Sequence, residues 1–322
     1  MFPLPRRSAE RGGGSFYLFP LSKYRVKFHK IDVLLLLMTV IWGSNFTVVK
    51  IALRYIPELP FNSLRLLVAS AAFLVAIALR EQWPRLSRSE WRRVIQLAII
   101  GHVIYQLCFV AALRRTTVAN GALIFAFTPI VVALLTSLLG HERIQLARWA
   151  GALLSLAGIY LVVGGSAASS GATMVGNVLA AGAMLCWAVY TVGARPLLAT
   201  RSALTITGYS MTAGSLLYVP IAWSGLRDLR WSTVPMSAWA ALVLSALLAL
   251  FVAYMIWYTA VQTIGGTRTA VYSNVTPVVA MVVAAIWIDE PITVREFAGA
   301  AAVIAGLAVT RLERRPMAPV ET

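Results

Sequence analysis

The chain is 322 residues long, 59% hydrophobic and only 12% charged, with a formal net charge of +16. Soluble domains carry about 25% charged residues, so this composition excludes an ordinary soluble core and overrides the roughly two soluble domains that length alone would suggest. A soluble protein this basic would point to nucleic acid. Here the basic residues sit between apolar runs and no DNA- or RNA-binding motif is present, so the expected partner is the lipid bilayer and not nucleic acid.

Residues 1–30 are basic, spotted with Gly and Pro, and lack the apolar region and cleavage site of a signal peptide; they read as a disordered cytoplasmic tail. A hydrocarbon core about 30 Å thick needs about 20 apolar residues in a helix. Ten runs fit: 31–53, 61–79, 94–113, 119–139, 146–164, 174–194, 203–223, 237–261, 269–288 and 294–311, with a second tail at 312–322. The connections are short, and Arg114-Arg115 with a few neighbours forms the whole turn after the third run. Ser87–Arg93 reads as a segment along the membrane surface, with Trp91 at the headgroups. With the N-terminus inside, twenty of the 28 Lys and Arg residues fall on the inner side. That bias puts both termini in the cytoplasm of a multi-pass cell (inner) membrane protein. Cys108 and Cys186 lie within apolar runs, and His29, His102 and His141 are scattered, so no disulfide, metal site or cofactor is expected.

The sharpest signal is internal similarity. A shift of 148 residues superposes Thr128-Pro129 on Thr276-Pro277, Glu142 on Glu290, and Ala150-Gly151-Ala152 on Ala298-Gly299-Ala300. A shift of 145 superposes Trp42 on Trp187 and Lys50 on Arg195, and one of 149 superposes Tyr105 on Tyr254. The fourth and fifth runs therefore repeat as the ninth and tenth, the first as the sixth and the third as the eighth. Five spans per repeat is an odd number, so the second repeat must enter the membrane from the opposite side. The expected fold is an all-α integral membrane protein of ten transmembrane helices arranged as two inverted five-helix repeats, 31–164 and 174–311. Such inversion is a hallmark of secondary transporters.

Several motifs resemble one family. Ile41-Trp42-Gly43-Ser44-Asn45-Phe46 followed by Lys50 resembles the first-helix signature of the drug/metabolite transporter superfamily, EamA type. Pro60-Phe61 with Arg65 is similar to its second-helix pattern, and Asn120-Gly121-Ala122 through Thr128-Pro129 to Glu142-Arg143 to its fourth. Gly266-Thr267 through Pro277 to Asp289-Glu290-Pro291-Ile292-Thr293 resembles the ninth. The likeness spans about residues 31–311. It implies ten helices, two EamA repeats and export of amino acids, other metabolites or drugs, without naming a substrate.

Pro129 and Pro277 fall mid-run at matched positions. Each removes one helical hydrogen bond and leaves the carbonyl four residues back, at Phe125 or Ser273, underused; they serve as hinges or as tolerated kinks. Ser44 and Asn45, deep in the first run, line a cavity or bond a neighbouring helix. Intramembrane charges raise a functional reading by default, and Lys50, Arg65 and Arg195 are candidates for gate contacts or for attracting a substrate carboxylate. Each is also near enough to a helix end to snorkel. His102, Tyr105 and Gln106 face Tyr254, Trp257 and Tyr258 through the repeat, and with Trp42, Trp187 and Tyr190 they offer an aromatic surface with polar tips suited to an amphipathic solute. Asn274 is a further lining candidate. Glu142 and Glu290 sit near the starts of the following helices, where a carboxylate complements the dipole or forms a gate-level ion pair.

These residues point to a secondary transporter exporting small organic metabolites or drugs by alternating access. A channel or facilitator is the alternative. A membrane-embedded enzyme is disfavoured by the lack of clustered acids or histidines, and the absence of a Walker-type loop excludes an ATP motor within the chain.

Overall fold

The computed structural model describes residues 30–139, 157 and 173–311. Among them there is no strand, and nine helices follow one another: α1 (Lys30–Ala52), α2 (Glu58–Arg80), α3 (Arg88–Arg115), α4 (Val118–Leu138), α5 (Met174–Leu198), α6 (Ala203–Asp228), α7 (Met236–Ile264), α8 (Gly266–Ile288) and α9 (Val294–Arg311). The run expected at 146–164, Glu142, residues 1–29 of the N-terminal tail and the tail at 312–322 lie outside the described residues. Seven of the nine, α1 to α5 with α7 and α8, are long and apolar enough to cross a membrane. The other two are more polar: α6 mixes Thr, Ser and Gly into its apolar residues, and α9 carries Arg295, Glu296 and Arg311.

Local chemistry fixes the helix ends. Ser87 accepts from the Glu90 N–H at 3.3 Å while the Glu90 carboxylate accepts from the Ser87 N–H at 2.7 Å, a reciprocal cap. That cap starts α3 at Arg88, so Ser87–Arg93 is no separate surface segment: it is the cap and first turns of a continuous helix, and Trp91 stacks on Tyr209 of α6 at 5.3 Å. Thr117, Thr173 and Ser202 cap α4, α5 and α6 with their hydroxyls. Gly265, at φ +85°, ends α7. Asp289 adopts the left-handed region at φ 54° and ends α8.

Side-chain bonds gather the helix termini into two ends. At one, Lys50 bonds Glu290 at 2.9 Å and the Thr116 carbonyl at 3.0 Å, Arg115 bonds Glu58 at 2.9 Å, and Thr116 bonds Asn177 at 2.6 Å. At the other, Arg201 bonds Glu90 at 2.6 Å, Ser202 bonds Glu81 at 2.8 Å, and Gln262 reaches the Leu198 carbonyl at 2.8 Å. Glu90 holds the Arg201 guanidinium above its ordinary pKa. It follows that α1, α3 and α8 run toward the Glu290 end, and α4, α5 and α7 run away from it.

Packing pairs helices distant in sequence. α1 lies along α7 and α8, α5 lies along α3 and α4, and α2 lies along α6. The α1–α8 crossing is close at Gly43, where a Cβ would stand 2.6 Å from the Val279 Cβ. Outward faces are apolar stripes at helical spacing, such as Val33, Leu37 and Val40 on α1 and Val278, Val282 and Ile286 on α8. Exposed apolar area of this extent suits lipid and not water. Both cysteines are free and half-buried.

Gly43→Val forces the α1–α8 crossing apart and costs about 1–3 kcal/mol. Thermal unfolding in detergent should show a lowered midpoint, while Gly121→Ala, whose Cβ meets nothing nearer than 3.5 Å, should leave it unchanged.

Candidate functional site

A cavity of about 580 Å³ of unfilled space, its open side included, lies at mid-depth between α1, α2, α3, α4, α5, α7 and α8. On α1, Trp42, Asn45 and Phe46 stand at i, i+3 and i+4, so one face presents all three to it. Tyr105, Gln106 and Phe109 of α3 share a second wall; Phe125 of α4, Trp187 of α5, and Tyr254 with Ala249 and Leu250 of α7 supply the rest. The rings pack edge to face: Trp42 meets Trp187 at 5.4 Å, and Phe46 meets Phe109 at 5.5 Å.

Irregular backbone aims these side chains. α3 contains a π-helical stretch, Ile99–Ile104, directly before Tyr105, and α7 contains another, Ser245–Val252, directly before Ala253-Tyr254. A π turn adds a residue to the helix and re-phases its faces. It also leaves carbonyls for other donors: the Trp42 indole N–H bonds Ala249 O at 3.0 Å. α4 breaks at Ala126-Phe127 and α8 passes through a 3-10 turn at Ser273–Val275, so Pro129 and Pro277 sit in the first turn of a new helical segment. The expected underused carbonyls are taken. Phe125 O accepts the Thr128 hydroxyl at 2.6 Å, and Ser273 O accepts the Thr276 N–H. Proline costs little at a helix start, where its missing N–H would be unpaired in any case. Thr128, Ser273 and Thr276 all line the cavity.

Among the described residues, Arg65 is the charge in this lining. Its position about two turns into α2 puts it roughly 10 Å from the helix start, and it is fully buried. The expectation that it snorkels fails, because nearby oxygens hold it in place. Nη2 donates to Asn62 Oδ1 at 2.8 Å and to Gln106 Oε1 at 2.5 Å, and Nη1 to Ser245 Oγ at 3.1 Å. Ser245 in turn donates to Asn45 Oδ1 at 2.6 Å. The guanidinium also lies over the Phe61 and Phe109 rings at 5.4 and 5.8 Å. Among the described residues no carboxylate pairs with it.

Other candidates stand apart from the lining. Ser44 is half-buried outside it. His102 and Tyr190 are fully buried in a separate knot, where His102 Nε2 stands 3.1 Å from the Tyr190 hydroxyl and 3.2 Å from Ser210 Oγ. Trp257 and Tyr258 form a second aromatic layer, 5.6 and 6.0 Å behind Trp187. Asn274 is buried in the 3-10 turn of α8, between two lining residues. Arg195 is half-buried in the last turn of α5. Lys50 and Glu290 make the ion pair described above. Glu290 does not cap the helix that follows it: its second oxygen accepts the Ala119 N–H of α4 at 3.2 Å. The start of α9 is capped instead by Thr293 and Glu296, whose side chains bond one another at 2.9 Å.

Phe46, Phe125, Thr128, Ser245 and Asn62 were not among the sequence candidates. Two carried a usable signal: Phe46 is four residues from Trp42, and Asn62 three from Arg65. Ser245 had none, since its role depends on the π stretch of α7.

Ser210→Ala removes one interhelical partner of the His102 knot, about 0.6 kcal/mol in a membrane. A small fall in the thermal midpoint is expected, with no change in the affinity of ligands bound in the cavity.

A family model described as the EamA-like transporter family matches residues 29–164 and again 174–312. Similar curated proteins include an uncharacterized transporter, YetK, of Bacillus subtilis, 25% identical over 85% of this chain and 84% of that protein. A probable terminal-alkyne amino-acid exporter of Streptantibioticus cattleyicolor is 28% identical over 88% of this chain and 93% of its own length. One solved crystal structure superposes with a TM-score of 0.65 at 20% identity, covering 88% of this chain and 98% of that one, a likeness of fold.

Proposed function

We propose that this chain, which belongs to the EamA-like transporter family, is a secondary transporter that exports small organic metabolites, amino acids or related compounds among them, or drugs, by alternating access. The coarser reading is direct: it is a multi-pass membrane protein of a small-molecule transporter family. The finer one is our inference. It takes the chain as ten helices in two inverted five-helix repeats, with the Glu290 end outside, both termini in the cytoplasm, and the cell membrane as its site.

One observation carries it. Positions matched by the internal similarity meet across a single cavity: Trp42 with Trp187, Tyr105 with Tyr254, and Thr128 with Thr276. The directions of the helices support the inversion, since α1 and its counterpart α5 run oppositely, as do α3 and α7, and α4 and α8. The packing does too, since α1 rests on α7 and α8 as α5 rests on α3 and α4. Two half-structures of this kind can exchange conformations around a fixed midplane site. Backbone breaks at Thr128-Pro129 and Thr276-Pro277 provide the bend, and the polar clusters at the two ends provide closures that alternate. The exporter named above supports amino-acid-like cargo.

The test is flux. Cells overexpressing the protein are compared with an empty-vector control across a metabolite panel, and solutes that change are then followed in liposomes containing the purified protein. Saturable solute flux is expected. Ionic conductance without solute flux would replace the transporter with a channel. Pro129→Ala combined with Pro277→Ala should slow flux by about tenfold or more; wild-type flux in the double variant would remove the hinge from the mechanism.

A further inference from the structure

We propose that the cavity is a carboxylate site, and that its ligands are amphipathic organic acids with an apolar or aromatic body, for which a free amino group is not required. The proposal rests on the transporter reading and names the class of solute that the same cavity selects.

Arg65 is the starting point. A guanidinium has five N–H donors and no acceptor. Three bonds are made through its terminal nitrogens, all to neutral oxygens. Its Nε–H makes none among the described residues, although the side chain is fully buried. Neutral acceptors and ring faces orient a cation but leave its charge uncompensated, and a buried unpaired charge is costly. The surroundings are organised to present the charge and not to cancel it. Ser245 gives its proton to Asn45, which leaves its oxygen lone pairs for Arg65. Gln106 likewise turns its oxygen to Arg65, so its amide nitrogen is directed elsewhere, and that buried nitrogen also lacks a partner among the described residues. Arg65 and Gln106 both line the cavity. Together they offer unused N–H donors beside a positive charge, the chemistry that a carboxylate completes. The planar guanidinium fork matches a carboxylate in shape as well as sign.

The remainder of the wall sets the body of the ligand. Trp42, Phe46, Tyr105, Phe125 and Trp187 surround the space with rings, which accept an apolar or aromatic group. Among the described residues no Asp or Glu is in the lining, so an ammonium group meets π faces, neutral polar tips and the like charge of Arg65. The order of preference is therefore acid, then neutral isostere, then amine.

Three probes of one shape separate these cases: phenylacetate, phenylacetamide and phenethylamine. Binding to the purified full chain in detergent is read from quenching of tryptophan fluorescence, in chloride-free buffer. Wild type should bind phenylacetate about tenfold or more tightly than phenylacetamide, and phenethylamine weakest. Arg65→Gln should erase the difference between acid and amide, and Arg65→Lys, which keeps the charge but loses the fork, should retain part of it. The wild-type comparison needs no variant, so a misfolded Arg65 variant does not rescue the idea. Equal binding of acid and amide, or tightest binding of the amine, overturns it. Liposome flux is measured in parallel. Selective binding of phenylacetate without flux of any solute sinks the transporter reading and spares the site; flux with no preference for acids does the reverse.

Discussion

A guanidinium that is fully buried with no carboxylate of the protein beside it, among the described residues, constrains everything packed around Arg65. Its charge requires oxygens close by: α2, α3 and α7 bring them from Asn62, Gln106 and Ser245, and Asn45 of α1 holds Ser245 by accepting its proton. Four helices are thereby held at one depth around one point. A mutual arrangement of that kind is not interchangeable with an apolar contact, because shifting any of the four would leave a buried polar group without its partner. The cavity exists because these side chains are committed to Arg65 on one side and leave unfilled space on the other, where rings form the wall.

The second constraint is the backbone. In a membrane every N–H and C=O must be satisfied within the protein, so irregular helix is tolerated only where something else supplies the bond. In this protein the irregularities collect at the cavity. The π stretches of α3 and α7 precede Tyr105 and Tyr254, and the breaks in α4 and α8 precede Pro129 and Pro277. Freed groups find local partners: Ala249 O meets the Trp42 indole, Phe125 O the Thr128 hydroxyl. The same residues thus stabilise the break and line the space beside it. Polar clusters at the two ends of the bundle, around Lys50 with Glu290 and around Arg201 with Glu90, lie away from this centre and tie helix termini together.

Trp42, Trp187, Tyr105 and Tyr254 are recognisable in the sequence because they recur at matched positions of the chain, and repetition in sequence becomes juxtaposition when two similar units pack face to face. Asn45, Gln106 and Arg65 were recognisable because polar groups inside apolar runs are costly and need a reason. The order among these candidates was recognisable only in part. Arg65 shared with Lys50 and Arg195 a place within reach of a helix end and stood out from them by its more apolar surroundings, a difference that its full burial makes decisive. His102 could be read as a lining residue or as a satisfied buried histidine, and its contacts with Tyr190 and Ser210 fit the second. Glu290 could be read as a cap for the next helix or as one half of an ion pair, and it pairs with Lys50 while accepting from α4.

The amino-acid sequence by itself determined the solvent this protein needs, its helical class and the family it resembles. Those follow from sums and periods along the chain: runs long enough for a bilayer, a scarcity of charge, and motifs repeated about 148 residues apart. Tertiary structure decided which polar residues share a cavity and which are spent on holding helices together. That choice turns on partners far away in the chain, such as Ser245 for Arg65 or Ser210 for His102. It turns also on π turns that rotate a helix face by a residue, a shift that the hydrophobic period does not encode.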